Sequence, residues 1–224
     1  MKRSHPEGLL PVEIAVDLSA LRRDAVDFYD RLGLADLAAT LPPTIDLSRD
    51  QLDVLRAKAR EGYSRVLLIP AGIERHLPEL LAAFPVDRSA RVTASWPDGI
   101  VTTDPRRVGR SYLLLTNPDR AMARNTLGRS AAGLAATFET TNRVGLTIAE
   151  FLVEERVHFE TTGAHLVDRS TDGSSWLLGS RDKEGNVLYA AWNANPERLR
   201  IGADPETDRY PALGARDGFF VSLG

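Results

Sequence analysis

The chain of 224 residues carries 28 basic and 31 acidic side chains, a formal charge of −3, with 43% hydrophobic and 26% charged residues. That balance suits a globular core and supplies no long-range positive field, so neither wholesale disorder nor nucleic-acid binding is expected. Cysteine is absent, which excludes disulfides, thiolate nucleophiles and sulfur-based zinc sites, and a cytoplasmic location is expected.

The stretch from Met1 to Pro11 has only Leu9 and Leu10 as an apolar pair. It falls short of a signal-peptide core or a span of about 20 apolar residues, so no membrane partner is expected. Leu18 to Leu37 mixes apolar and charged residues in helical fashion, with a break near Gly33. Ser48 with Gln51 forms a capping box: Leu52, Leu55 and Ala59 share one helical face, and Gly62 stands where that helix should stop. Arg65 to Ile69 is a compact apolar run closed by Pro70, a buried strand leading into a second helix around Ile73 to Phe84.

Residues 95 to 109 concentrate proline, glycine and turn formers, and a boundary is placed near residue 104. The expectation is an α/β region of unknown role over 1–104 and a second domain over 105–224, with room for both to share one core. In that second part Ser111 to Thr116 reads as a buried strand ended by Asn117-Pro118, and helical material follows. Thr147 with Glu150 makes another capping box, opening a helix whose Ile148, Phe151, Leu152 and Phe159 share a face and which should end by Gly163. From Trp176 onward the chain turns β-rich: Trp176 to Leu178, Val187 to Trp192, Leu199 to Ile201 and Phe219 to Leu223 are short apolar or alternating runs. Asp182 to Asn186 is a hairpin-type connection between two of them, and Asp204 to Pro211 is a polar excursion.

Residues capable of chemistry are sparse. Of the four histidines, His5, His76, His158 and His165, no two have the i,i+4 spacing of a zinc-binding helix, so neither a metal centre nor another cofactor is expected. His158 follows Glu154 by four residues, which admits an acid/base pair, but the pair is read as a solvated salt-bridging face because such pairs are common on exposed helices. Gly128 to Gly133 lacks the lysine and hydroxyl residue of a phosphate loop, and Ser130 lacks the second glycine of a nucleophile elbow. Arg106, Arg107 and Arg110 form one basic cluster, read as a solvated loop because Asp98 and Asp104 flank it.

Three short stretches, W-L-L-G-S-R at 176 to 181, A-A-W-N at 190 to 193 and L-G-A-R at 213 to 216 ahead of the apolar end, resemble the tail of C-type-lectin-like domains. The similarity covers about 50 residues. It points to two branches of that fold, the formylglycine-generating-enzyme-like group and the variable proteins diversified by retroelements. The resemblance implies an α+β fold, a C-type-lectin-like domain over 105–224, with the last strand beside Ser111 to Thr116. Formylglycine-generating enzymes work through cysteine, which this chain lacks. Related iron-dependent members need a histidine cluster that His158 and His165 do not supply. Calcium-dependent lectins carry Trp-Asn-Asp, whereas Ala194 follows Trp192-Asn193 here.

What remains is a non-enzymatic protein displaying a variable-type recognition surface for an unknown protein or small-molecule ligand. Alternation turns Leu188, Ala190 and Trp192 inward with Leu199 and Ile201. The outward candidates for ligand contact are Tyr189, Asn193, Asn195, Arg198, Arg200, Arg209 and Tyr210, a mixture of aromatic, amide and guanidinium groups suited to recognition. Trp176 and Trp192 are expected in the core. An enzyme of another class using Glu154 and His158 and a protein-interaction scaffold are the alternatives.

Overall fold

The computed structural model describes residues 17–84, 86–88, 99–104, 107, 109–119, 125–195 and 197–223. Met1 to Pro11, His5, Asp98, Arg106 and much of the proline- and glycine-rich stretch at 95 to 109 lie outside them.

Helix α1 (Leu18–Arg31) starts on Asp17, whose carboxylate accepts from the Ser19 and Ala20 amides. The break expected near Gly33 separates it from the single turn α2 (Ala35–Ala38). Helix α3 (Arg49–Arg60) opens on the Ser48/Gln51 capping box. The Gln51 amide also donates to the Ser222 carbonyl at 2.8 Å, which ties this cap to the far end of the chain. Strand β1 (Arg65–Ile69), a 3₁₀ turn (Ile73–His76), α4 (Leu77–Ala82) and the short strand β2 (Val86–Arg88) follow.

After β3 (Val101–Thr102) come β4 (Tyr112–Thr116), α5 (Ala131–Thr140), β5 (Val144–Gly145) and α6 (Ile148–Thr162). The β-rich tail comprises β6 (Ser174–Arg181), β7 (Val187–Ala194), β8 (Glu197–Asp204), β9 (Leu213–Ala215) and β10 (Asp217–Ser222). The fold is mixed α+β.

The strands form two sheets. One has the order β1-β4-β10-β5, every pair antiparallel, and sets Val221 opposite Leu113, so the last strand does lie beside β4. Strand β4 sits between β1 and β10 and is buried along its whole length, which its unbroken Tyr-Leu-Leu-Leu-Thr run permits. The other sheet has the order β2-β8-β7-β6-β3, with β6, β7 and β8 an antiparallel meander and β9 alongside β6.

One core joins Leu67 to Ile69, Leu113 to Leu115, Phe151, Leu152, Leu188, Leu199 and Ile201, and so contains residues from both sides of position 104. On the opposite face of the second sheet α5 sets Leu134 and Phe138 against Trp176, Leu178 and Val187 in a smaller core. Among the described residues no helix is long and apolar enough to cross a membrane.

Two glycines with the same backbone angle separate conformational strain from close approach. Gly173 and Gly185 both have φ +85°, but an added Cβ would strike the Ala212 carbonyl oxygen at Gly173 and nothing within 4 Å at Gly185. Gly185→Ala is expected to cost about 1 to 2 kcal/mol, the left-handed penalty alone. Gly173→Ala should cost clearly more in urea unfolding; equal losses would contradict the tight Gly173–Ala212 approach.

Candidate functional site

Helix α6 is amphipathic in neither direction: its first eight residues, Ile148 to Glu155, are all buried, and Glu150, Glu154 and Glu155 are each 0% exposed. A buried carboxylate is tolerated only where cations and donors meet it. Glu150 closes the Thr147 capping box, accepting from the Thr147 amide at 2.7 Å, while Arg107 donates to the same oxygen at 2.9 Å and the Tyr112 hydroxyl to the other at 2.6 Å. Burial, reinforced by the charge of Glu150, holds the Tyr112 hydroxyl well above its ordinary range and so in its donor form.

Arg107 is therefore not part of a solvated loop. It is 4% exposed, donates also to the Gly145 carbonyl and lies 3.4 Å from Asp104. Arg110 is exposed while Arg107 is buried, so these two do not share one surface patch, and Arg106 lies outside the described residues.

Glu154 meets Arg216 at 3.2 Å and Arg65 at 3.9 Å. Arg216 is further fixed by the Asn117 and Asp119 carbonyls, and Arg65 lies 3.1 Å from His158 Nδ1. His158 is buried as well. The solvated salt-bridging face is thus replaced by an internal ionic group, because α6 packs its charged side into the protein. Desolvation, then the Arg65 charge, pushes the His158 proton affinity below its ordinary value. Neither Glu154 nor His158 belongs to the walls of the clefts at α1, at α5 or at the end of α4. Among the described residues no group of three or more histidine, aspartate or glutamate side chains is arranged to hold a metal ion.

The β7–β8 register sets Asn193 opposite Arg198 and Ala191 opposite Arg200, so these four residues share one face. Among the described residues neither arginine has an ion-pair partner, and both are half-buried. Tyr189 stands further along the same row, opposite Gly202, but is half-buried against the α5 core with its ring edge-on to Trp176 at 5.9 Å. Ala191 is 1% exposed. The outward row is consequently open only toward the β7–β8 turn, where Asn195 is exposed, because α5 covers its other end. Arg209 and Tyr210 are exposed on the loop after β8, where the Tyr210 hydroxyl donates to Asp208. Trp176 and Trp192 are both buried, as their apolar surroundings in the sequence indicate.

Sequence reasoning missed Arg65, Arg216 and the Glu155–His165 contact of 2.5 Å. One signal was present: three glutamates inside an otherwise apolar helical stretch, which demand internal cations. Comparison of the chain with family models, curated proteins and solved structures gives no match.

Removing one member of the Glu154 group leaves buried cations uncompensated. Glu154→Gln should lower stability by about 3 to 5 kcal/mol, whereas Glu160→Gln, in the exposed pairs with Arg31 and Arg156, should cost under about 1 kcal/mol; similar losses would deny the buried group its role. His158 gives a pH signature. Its folded-state affinity for protons is depressed, so its contribution is complete above the ordinary histidine value of about 6.5 and is lost as pH falls through that value toward the folded one. Urea midpoints measured from about pH 7 down to pH 5 should therefore fall less steeply for His158→Gln than for the wild type.

Proposed function

We propose that the chain is a non-enzymatic ligand-binding protein whose β7–β8 face is the recognition surface of a C-type-lectin-like scaffold of the variable-protein kind. The observation that carries this reading is the pairing of Asn193 with Arg198 and of Ala191 with Arg200, which puts an amide beside two guanidinium groups that lack ion-pair partners among the described residues. Residues two apart on a strand stand roughly 7 Å from each other on one face. Two guanidinium forks at that spacing match a ligand bearing carboxylate, phosphate or sulfate groups, with planar two-pronged hydrogen bonds to each.

Asn195 at the turn extends the amide side of the surface, Tyr189 closes its inner end against α5, and Arg209 and Tyr210 are placed in the reading as a rim from the following loop. The strand pair is held by Leu188, Trp192, Leu199 and Ile201 in the core behind it. Surface identity can therefore change without loss of the fold, which is what a variable display surface requires. A second reading, acid/base chemistry by Glu154 and His158, is favoured by the depressed proton affinity of His158; it is opposed by the engagement of Glu154 with two arginines.

Thermal-shift titration with pyrophosphate, sulfate and glucuronate tests the ligand class. Arg198→Ala/Arg200→Ala should keep unfolding stability within about 0.5 kcal/mol per site and lose the stabilisation that the best anion gives the wild type. An unchanged anion response in the double variant would remove this surface as the binding site.

A further inference from the structure

A cleft of about 430 Å³ opens between the end of α4, the later half of α6 and the β7–β8 turn, walled in part by Phe84, Arg156, Phe159, His165, Trp192 and Glu197. Its volume falls within the roughly 300 to 1,000 Å³ of small-molecule sites. Three rings form its inner wall: His165 lies between Trp192, with centroids 3.6 Å apart and planes 13° from parallel, and Phe159, at 4.7 Å and 22°. Phe159 is 37% exposed despite that stacking.

The imidazole is held from behind. Its Nδ1 lies 2.5 Å from Glu155 Oε1, and the other Glu155 oxygen accepts from the Leu166 amide at 2.7 Å. A carboxylate can only accept, so the hydrogen belongs on Nδ1, and in the neutral ring Nε2 is an acceptor. Among the described residues Nε2 has no hydrogen-bond partner. Of the two charged residues in the wall, Arg156 is already paired with Glu160 at 2.9 Å, whereas Glu197, exposed at the start of β8, has no ion-pair partner among the described residues. The cleft thus offers aromatic surface, an Nε2 that accepts when the imidazole is neutral, and one negative charge.

We propose that this cleft binds a small planar organic cation of the amidinium, guanidinium or amino-heteroaromatic class. The flat cation lies against the aromatic wall, donates one N–H to His165 Nε2 and pairs with the Glu197 carboxylate, combining cation–π attraction with charge-assisted hydrogen bonds. Trp192 faces the side of β7 opposite to Asn193 because successive strand side chains alternate. The site is therefore separate from the arginine-lined face and does not depend on what that face binds.

Isothermal titration calorimetry of the full chain with benzamidine, and with benzamide as a neutral molecule of nearly the same shape, tests the proposal. Benzamidine should bind about tenfold or more tighter than benzamide, and Glu197→Gln should remove about tenfold of its affinity while leaving benzamide unchanged. His165→Phe keeps a ring in the stack and removes the acceptor, so it should weaken both probes; if it fails to fold, Glu197→Gln on the exposed turn decides alone. Arg198→Ala/Arg200→Ala should alter neither affinity. The proposal is overturned by equal binding of the two probes, by a benzamidine affinity indifferent to Glu197→Gln, or by no binding heat at millimolar benzamidine.

Discussion

Removing a carboxylate from water costs several kcal/mol unless cations and hydrogen-bond donors replace the lost hydration, and α6 buries three of them within six residues. The partners come from widely separated parts of the chain. Glu150 is met by Arg107 and Tyr112, Glu154 by Arg65 and Arg216, and Glu155 by His165 and the Leu166 amide. Arg65 begins β1, Tyr112 begins β4, and Arg216 joins β9 to β10. The first sheet and the central helix can therefore satisfy all three carboxylates only when docked in one relative position. A set of apolar residues of the same volume would tolerate sliding; charges in a dry interior do not. We read the α6 carboxylates as the constraint that selects a single arrangement, a role distinct from adding net stability, since such groups often gain little over apolar packing.

From that fixed helix the second sheet inherits its position. Strand β7 divides the protein locally into two environments: Leu188, Ala190 and Trp192 join the main core, while Val187 and Tyr189 meet the smaller core under α5. Beyond the edge of α5 the outer face is open at Asn193, Arg198 and Arg200. On the inner side the core ends at the Trp192–His165–Phe159 stack, where the Glu155 carboxylate extends the internal charge system to the surface. The same helix that anchors the fold thus also orients the His165 imidazole in the wall of a cleft.

The sequence by itself determined the local elements, because each rests on interactions a few residues long. The capping boxes at Ser48 and Thr147, the apolar run from Arg65 to Ile69, the break at Gly33 and the alternation from Val187 to Trp192 are all written in near-neighbour spacing and appear where expected. The mixed α+β class and the adjacency of the last strand to β4 are also found, but their expectation rests on the resemblance and not on local spacing. The display role of the β7–β8 face remains a proposal built on them.

Only the tertiary structure decided the environment of each charge. An i,i+4 pair such as Glu154 and His158 has the same spacing on a solvated helix and on a buried one, and periodicity cannot tell them apart where the helix is buried on every side. The partners that reveal burial, Arg65 and Arg216, lie 89 residues before and 62 residues after Glu154 in the numbering. For the same reason Arg107, exposed by the look of its loop, is buried against Glu150, and Tyr189, outward by alternation, is half-covered by α5. Local spacing fixes which way a side chain points from its own backbone; what it then meets depends on elements that folding brings in from elsewhere in the chain.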